Sequence, residues 1–172
     1  MKNVVKCPTM AEQHLRLEPL LEHLAEFFPR HMQIYYGLYQ RDQLFEDARR
    51  SRACAYLADD DHGPLALQEI LLAGCPTVGV RTGASFVKTG ETGVVLDRLP
   101  PGRQCVETED EERALADYLQ AIEQAQVMDR HRVRDRAARQ FDSDRIVDSV
   151  IAALATVRES AVSNATGKTC PQ

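Results

Sequence analysis

Two acids, Asp61 and Glu69, stand eight positions apart in the stretch Asp61-His62-Gly63-Pro64-Leu65-Ala66-Leu67-Gln68-Glu69-Ile70-Leu71-Leu72-Ala73-Gly74-Cys75-Pro76-Thr77-Val78. Pro64 suits the first position of a helix, where its missing N–H costs nothing. Gly74 suits the position just past the helix end, where a positive φ is common. The stretch therefore reads as loop, short helix, glycine stop and strand. An acid before the helix and another near its far end can address one ligand. Carboxylates accept hydrogen bonds from hydroxyls. The unpaired N–H groups of a first helical turn attract an anion, although Pro64 itself donates nothing. Hydroxyls at the carboxylates and a diphosphate at the helix start together suit a nucleotide sugar. His62 adjoins the helix start and either touches a phosphate or is an ordinary loop histidine. Glu69 is either a ribose ligand or a solvated helix acid, and Asp61 either a sugar ligand or a helix-start acid.

The elements that must hold these residues follow from periodicity. Residues 3–6 read as a short strand, residues 11–28 as a helix, and residues 32–36 as a strand ended by Gly37. Pro19 either kinks the first helix or marks its start. Residues 40–51 read as a charged helix whose apolar face is Leu44, Phe45 and Ala48. Ala53-Cys54-Ala55-Tyr56-Leu57 is a continuous apolar run, which fits a strand buried on both faces of a parallel sheet. The helix from Pro64 to Ala73 and a strand over 76–80 come next. This alternation predicts an α/β fold, a Rossmann-like, doubly wound parallel sheet with helices on both faces. Ligands of such sheets bind outside the carboxyl ends of the strands. Asp61 follows the strand at 53–57 and so falls in that place. The glycine turns at Gly83 and at Gly90–Gly93 are expected near the same edge, turns first and ligand loops second. Cys75 is expected beside the site, more as a small turn residue than as a nucleophile, since no base adjoins it.

Beyond Val95, Leu99-Pro100-Pro101-Gly102 is a turn-rich loop. Thr108 is placed to cap a helix over 109–127, with Glu111 at the capping-box position. Residues 129–139 carry Arg130, Arg132, Arg134, Arg136 and Arg139 between Asp129 and Asp135, as on an exposed helix. A last helix over 143–159, capped by Ser143 or Asp142, is expected to turn Ile146, Val147, Val150, Ile151 and Leu154 inward. The chain divides into an α/β domain over 1–159, helical in its C-terminal part, and a tail over 160–172 whose composition predicts disorder.

The Asp61–Val78 stretch resembles the donor-binding motif of retaining GT-B glycosyltransferases, in which two glutamates are separated by seven residues. Glu69, Gly74, Pro76 and Val78 fall on that pattern, and Asp61 stands for the first glutamate, one methylene shorter. Most of the chain takes part. Gly37-Leu38-Tyr39, Gln43-Leu44-Phe45 and Ala48-Arg49-Arg50-Ser51 look like the loop and helix before the motif. Gly90-Glu91-Thr92-Gly93-Val94-Val95-Leu96 looks like the Gly-x-Thr-Gly turn and its strand, and Phe141-Asp142 opens what looks like the closing helix. The resemblance implies the C-terminal, donor-binding half of such an enzyme. Glu69 would accept from the ribose and Asp61 from the sugar. Backbone groups near Gly63, Pro64 and Leu65 would flank the diphosphate, and the loop Gly83-Ala84-Ser85 would lie close to the donor. The implied activity is hexosyl transfer from a nucleotide-diphosphate donor to an acceptor hydroxyl, with no metal or other cofactor.

The departures are specific. The Gly-Arg pair and following Lys that neutralise the diphosphate in that family have no counterpart here, and one β-α unit is missing from the front. The family's N-terminal, acceptor-binding domain has no match in these residues. Catalytic residues are therefore unassigned. The expectation is a binding domain inactive alone, completed by an acceptor domain on another chain or by self-association through exposed apolar surface beside the cleft. The alternative is a non-catalytic binding or scaffold module.

Composition narrows the classes. The chain has 172 residues and a formal net charge of -5, which speaks against a general nucleic-acid binder. No run approaches the ~20 apolar residues of a membrane span, and a cytoplasmic protein is expected. The five cysteines, Cys7, Cys54, Cys75, Cys105 and Cys170, are scattered, as free thiols in a reducing compartment would be. His14, His23, His31 and His131 show no metal-ligand spacing.

Overall fold

A computed structural model describes residues 2–7, 11–35, 38–58, 65–102 and 105–166, with side chains described from Leu17 to Leu154 within those ranges. The two acidic positions differ in this respect: Glu69 is described, whereas Asp61, His62, Gly63 and Pro64 lie outside the described residues. So does Gly37, expected to end a strand.

The elements alternate as the periodicity predicts. They are β1 (Lys2–Cys7), α1 (Ala11–Phe27), β2 (His31–Tyr35), α2 (Arg41–Arg50), β3 (Ser51–Tyr56), α3 (Leu65–Leu72), β4 (Thr77–Val80), β5 (Gly93–Leu96), α4 (Glu109–Gln126), α5 (Arg130–Gln140) and α6 (Ser143–Thr166). The five strands form one sheet in the order β2-β1-β3-β4-β5, and every pairing is parallel. This is an α/β fold with a Rossmann-like arrangement. β2 joins one side of β1, and β3, β4 and β5 follow on the other. Parallel neighbours need a crossover; helices supply it as far as β4, and the turns of residues 81–92 supply it between β4 and β5.

One side of the core is built from α1, α4 and the sheet. Leu17, Leu20, Leu21 and Leu24 of α1 meet Ala53, Ala55 and Leu57, together with Val78 of β4 and Leu115, Tyr118, Ala121, Ile122 and Ala125 of α4. The alternation 53, 55, 57 is the strand period. The intervening Cys54 and Tyr56 are also buried, so β3 is covered on both faces, as its unbroken apolar run implies. α1 begins at Ala11, so Pro19 lies inside it and does not mark its start. Gly102 packs onto Pro19 so closely that an added Cβ would stand 2.3 Å from the proline carbonyl carbon. That contact brings the Pro-Pro-Gly loop over α1.

α2 differs from its expected face. Leu44 and Ala48 are buried, but Phe45 is 38% exposed and Asp47 is buried instead. Residues 44, 47 and 48 share one face at helical spacing, whereas 45 lies a step of ~100° away. The Asp47 carboxylate accepts from Gln43 Nε2 at 2.6 Å.

The ends of α3 and α4 are closed as the residues foretell. Gly74 takes φ +75. Gly74 N donates to Leu71 O and Cys75 N to Ile70 O, the paired bonds of a Schellman stop. At α4, Glu111 N donates to Thr108 Oγ1 at 3.2 Å, and Thr108 N donates to Glu111 Oε2 at 3.1 Å, completing a capping box. Donation from Glu107 N, then from the Thr108 hydroxyl, holds the Glu111 carboxyl below its ordinary value.

Arg130 opens α5 but is not one of a solvated row. Its Nε donates to Gly74 O at 2.9 Å, and its Nη2 to Ala48 O at 3.0 Å and Ala73 O at 3.3 Å. One guanidinium thus satisfies carbonyls at the ends of both α2 and α3, where the helix dipoles favour a cation.

Residues 139–172 form a second compact unit. Its described helix, α6, runs to Thr166, past residue 159. Asp142 is the capping side chain, accepting from Asp144 N at 3.0 Å and Arg145 N at 3.4 Å. The expected inward stripe is exposed: Ile146, Val147, Val150, Ile151 and Leu154 are 49–65% accessible. A helical repeat states which residues share a face and not what covers it.

Two measurements test these ends. Arg130→Met should cost about 2–4 kcal/mol, because it removes charged hydrogen bonds and orphans the carbonyls they satisfied; a thermal midpoint within a degree of wild type would contradict the clamp. Glu111 has a folded-state pKa below its unfolded one, so its contribution is present above the unfolded value near 4.5 and is lost as pH falls through the folded value. Glu111→Gln should therefore flatten that part of the acid limb of an unfolding titration.

Candidate functional site

In a parallel sheet every strand leaves at the same edge, so the loops that follow strands collect there. Here that carboxyl edge receives Ala58 after β3, Arg81–Ser85 after β4 and Asp97–Arg98 after β5. α2 and α3, which follow β2 and β3, also begin on it.

Glu69 sits on α3, one turn beyond Leu65. Helical side chains lean toward the N-terminus of their helix, and for α3 that end is the carboxyl edge. Its Oε1 pairs with Nε of Arg41, the first residue of α2, at 2.5 Å. The Glu69 side chain is 17% exposed and that of Arg41 80%. Glu69 is thus neither solvated nor buried in the core: it is a half-sheltered carboxylate held at the mouth of two helices. Leu65 is 73% exposed on the same face of α3. Leu38, three residues before Arg41, is 84% exposed.

The loop after β4 is packed hard against the path leading out of β3. Gly83 N and Ala84 N both donate to Val80 O, at 3.1 and 2.7 Å, and Val87 N donates to Ala84 O. This coil brings Gly83 onto Ala58, where an added Cβ would stand 1.7 Å from the carbonyl oxygen. Gly83 and Ala84 are buried, and Ser85 is exposed. Gly83 therefore adjoins Ala58 at the exit of β3, whereas the Asp61–Pro64 positions lie outside the described residues.

Two expected neighbours are on the other edge. The Gly90–Gly93 turn leads directly into β5, and Gly93 pairs with Thr77, the first residue of β4. A turn that feeds a parallel strand lies at the amino edge, so this loop is not beside the carboxyl ends. Cys75 likewise precedes β4, and its Sγ approaches the carbonyl of Ser51, the first residue of β3. α3 of 8 residues carries the chain about 12 Å from one edge to the other. Burial pushes the Cys75 thiol up to about 12, against a smaller opposite pull from the Arg130 guanidinium. It stays protonated and is no nucleophile.

Charge at the carboxyl edge is paired. Arg81 Nη2 lies 3.6 Å from Asp97 Oδ1, both well exposed. A cleft of about 280 Å³ opens between Leu96–Arg98 and the first turns of α4, lined there by Asp110, Arg113, Ala114 and Asp117. Glu69 is not among its lining residues. Among the described residues, no group of three or more His, Cys, Asp or Glu side chains is placed to hold a metal ion, and no helix is long and apolar enough to cross a membrane.

Sequence reasoning missed two arginines. Arg41 was one charge among many on a helix, and nothing in its spacing points to Glu69, 28 positions away. Arg130 sits in an alternating Arg-Asp run that reads as solvated.

The glycines separate packing from conformation. Gly83→Ala drives a Cβ into backbone and should lower stability by several kcal/mol, or force the loop off Ala58. Gly90→Ala meets nothing within 4 Å at φ +79 and should cost only about 1–2 kcal/mol. Equal losses in denaturant unfolding would contradict the close approach. No protein-family model matches the chain, and no curated protein matches it.

Proposed function

We propose that the chain is a nucleotide-sugar-binding domain of a GT-B glycosyltransferase. It would hold a nucleotide-diphosphate donor at the carboxyl edge and serve sugar transfer to an acceptor hydroxyl once an acceptor domain completes the cleft. The finer reading of the fold, a doubly wound sheet, is supported by the strand order. Strands are added to one side of β1 and then to the other, and the reversal between β1 and β3 makes a crevice at their carboxyl ends.

The observation that carries the proposal is Glu69. Its carboxylate is sheltered, one helical turn from the edge, and turned toward the start of α2. A sheltered carboxylate beside an open edge suits a ligand that donates hydroxyl hydrogens, as a ribose does. Transfer would then rely on holding donor and acceptor together and on stabilising the leaving diphosphate. The pair with Arg41 also favours a second reading, in which the Glu69 carboxylate serves to join α2 to α3 in a non-catalytic scaffold.

Thermal unfolding separates the two. A ligand at ~100 times its dissociation constant adds about 2.7 kcal/mol, a midpoint rise of several degrees at roughly 2–4 °C per kcal/mol. The donor reading expects such a rise with one of UDP, GDP, ADP or their sugars, lost in Glu69→Ala. No rise with any of them, beside a Glu69→Ala protein that is merely less stable, is the scaffold outcome.

A further inference from the structure

The Arg41–Glu69 pair presents two complementary functions at one point of the carboxyl edge. The Glu69 carboxylate accepts hydrogen bonds. Arg41 carries five donors on a planar cation. Its Nε lies against Glu69 Oε1, and the side chain is 80% exposed. A ligand that satisfies both must offer hydroxyls and an anionic oxygen on the same small unit. A phosphorylated ribose does so; a bare nucleoside and inorganic phosphate each satisfy half. Leu65, 73% exposed on the face of α3 that carries Glu69, adds an apolar surface to which a ring can pack.

We propose that Arg41 is a specificity-determining residue of this site, donating to a phosphate of the bound nucleotide while Glu69 accepts from the ribose hydroxyls. The proposal rests on the donor reading above and supplies the positive charge that the sequence does not provide as a Gly-Arg pair. Before the ligand arrives, Arg41 balances the charge of the half-sheltered Glu69. With the ligand bound, its remaining N–H groups face a second anion. The fixed register of α2 and α3 serves this arrangement, because Arg130 ties their far ends together.

Titration calorimetry on the full chain tests it, with each nucleoside, its monophosphate and its diphosphate in the uridine, guanosine and adenosine series. For the base that binds, Arg41→Ala should weaken the diphosphate about tenfold or more, the worth of a charge-assisted hydrogen bond. The nucleoside should change by less than about twofold. Arg41→Lys, which keeps the charge but not the planar fork, should recover part of the loss. Glu69→Gln should weaken nucleoside and diphosphate by the same factor, keeping the gain from phosphate. If Arg41→Ala weakens nucleoside and diphosphate equally, or neither, the role of Arg41 is overturned while the donor reading stands. If wild type binds no nucleoside and no nucleotide, the donor reading falls and takes this inference with it.

Discussion

Every strand of the sheet runs the same way, and that one constraint sorts the rest of the molecule. Each connection must return across the length of the sheet before the next strand can begin. Segments that follow strands gather at the carboxyl edge, and segments that precede them gather at the amino edge. Glu69, Arg41, Gly83 and the exit of β3 belong to the first group. Gly74, Cys75, the Gly90–Gly93 turn and Arg130 belong to the second. The division is a matter of strand direction, and residues close in sequence, such as Glu69 and Cys75, end on opposite edges.

The amino edge is where the fold is closed. The helices α2 and α3 end there with carbonyls that their own backbones cannot satisfy. A Schellman turn closes α3, and the guanidinium of Arg130 bonds the carbonyls of Ala73 and Gly74 just past it together with Ala48 O of α2. A half-buried cation needs hydrogen-bond partners, and three carbonyls supply them to Nε and Nη2. Close contacts without a side chain complete the seal: Gly93 beside Thr77 O leaves no room for a Cβ. Among the described residues of the carboxyl edge, by contrast, Leu38 and Leu65 are exposed and Arg41 and Arg81 pair with Glu69 and Asp97.

Burial also decides which polar groups are reactive. Cys75 adjoins the motif in sequence, yet desolvation holds it protonated. Glu69, six residues earlier, keeps partial access and a cationic partner. Two residues close in sequence are thus left in opposite surroundings by their distance from solvent. On α6 the same logic runs the other way. Its apolar stripe is a strong sequence signal, but a single helix does not bury its own face.

The sequence by itself determined the order of the elements and the ends of α3 and α4. The apolar run of β3, the helix-stopping Gly74, the capping box of Thr108 and Glu111 and the α/β alternation all rest on interactions within a few residues. Those interactions are the same wherever the segment finally lies. The sequence also marked Glu69, through its place after a Gly-Pro helix start. Only the tertiary structure decided what Glu69 and Arg130 touch, which edge receives each glycine turn, why Gly83 is glycine and which residue of α2 faces inward. These depend on strand order and direction and on contacts between residues tens of positions apart, and no local pattern records which distant backbone will arrive at a given side chain.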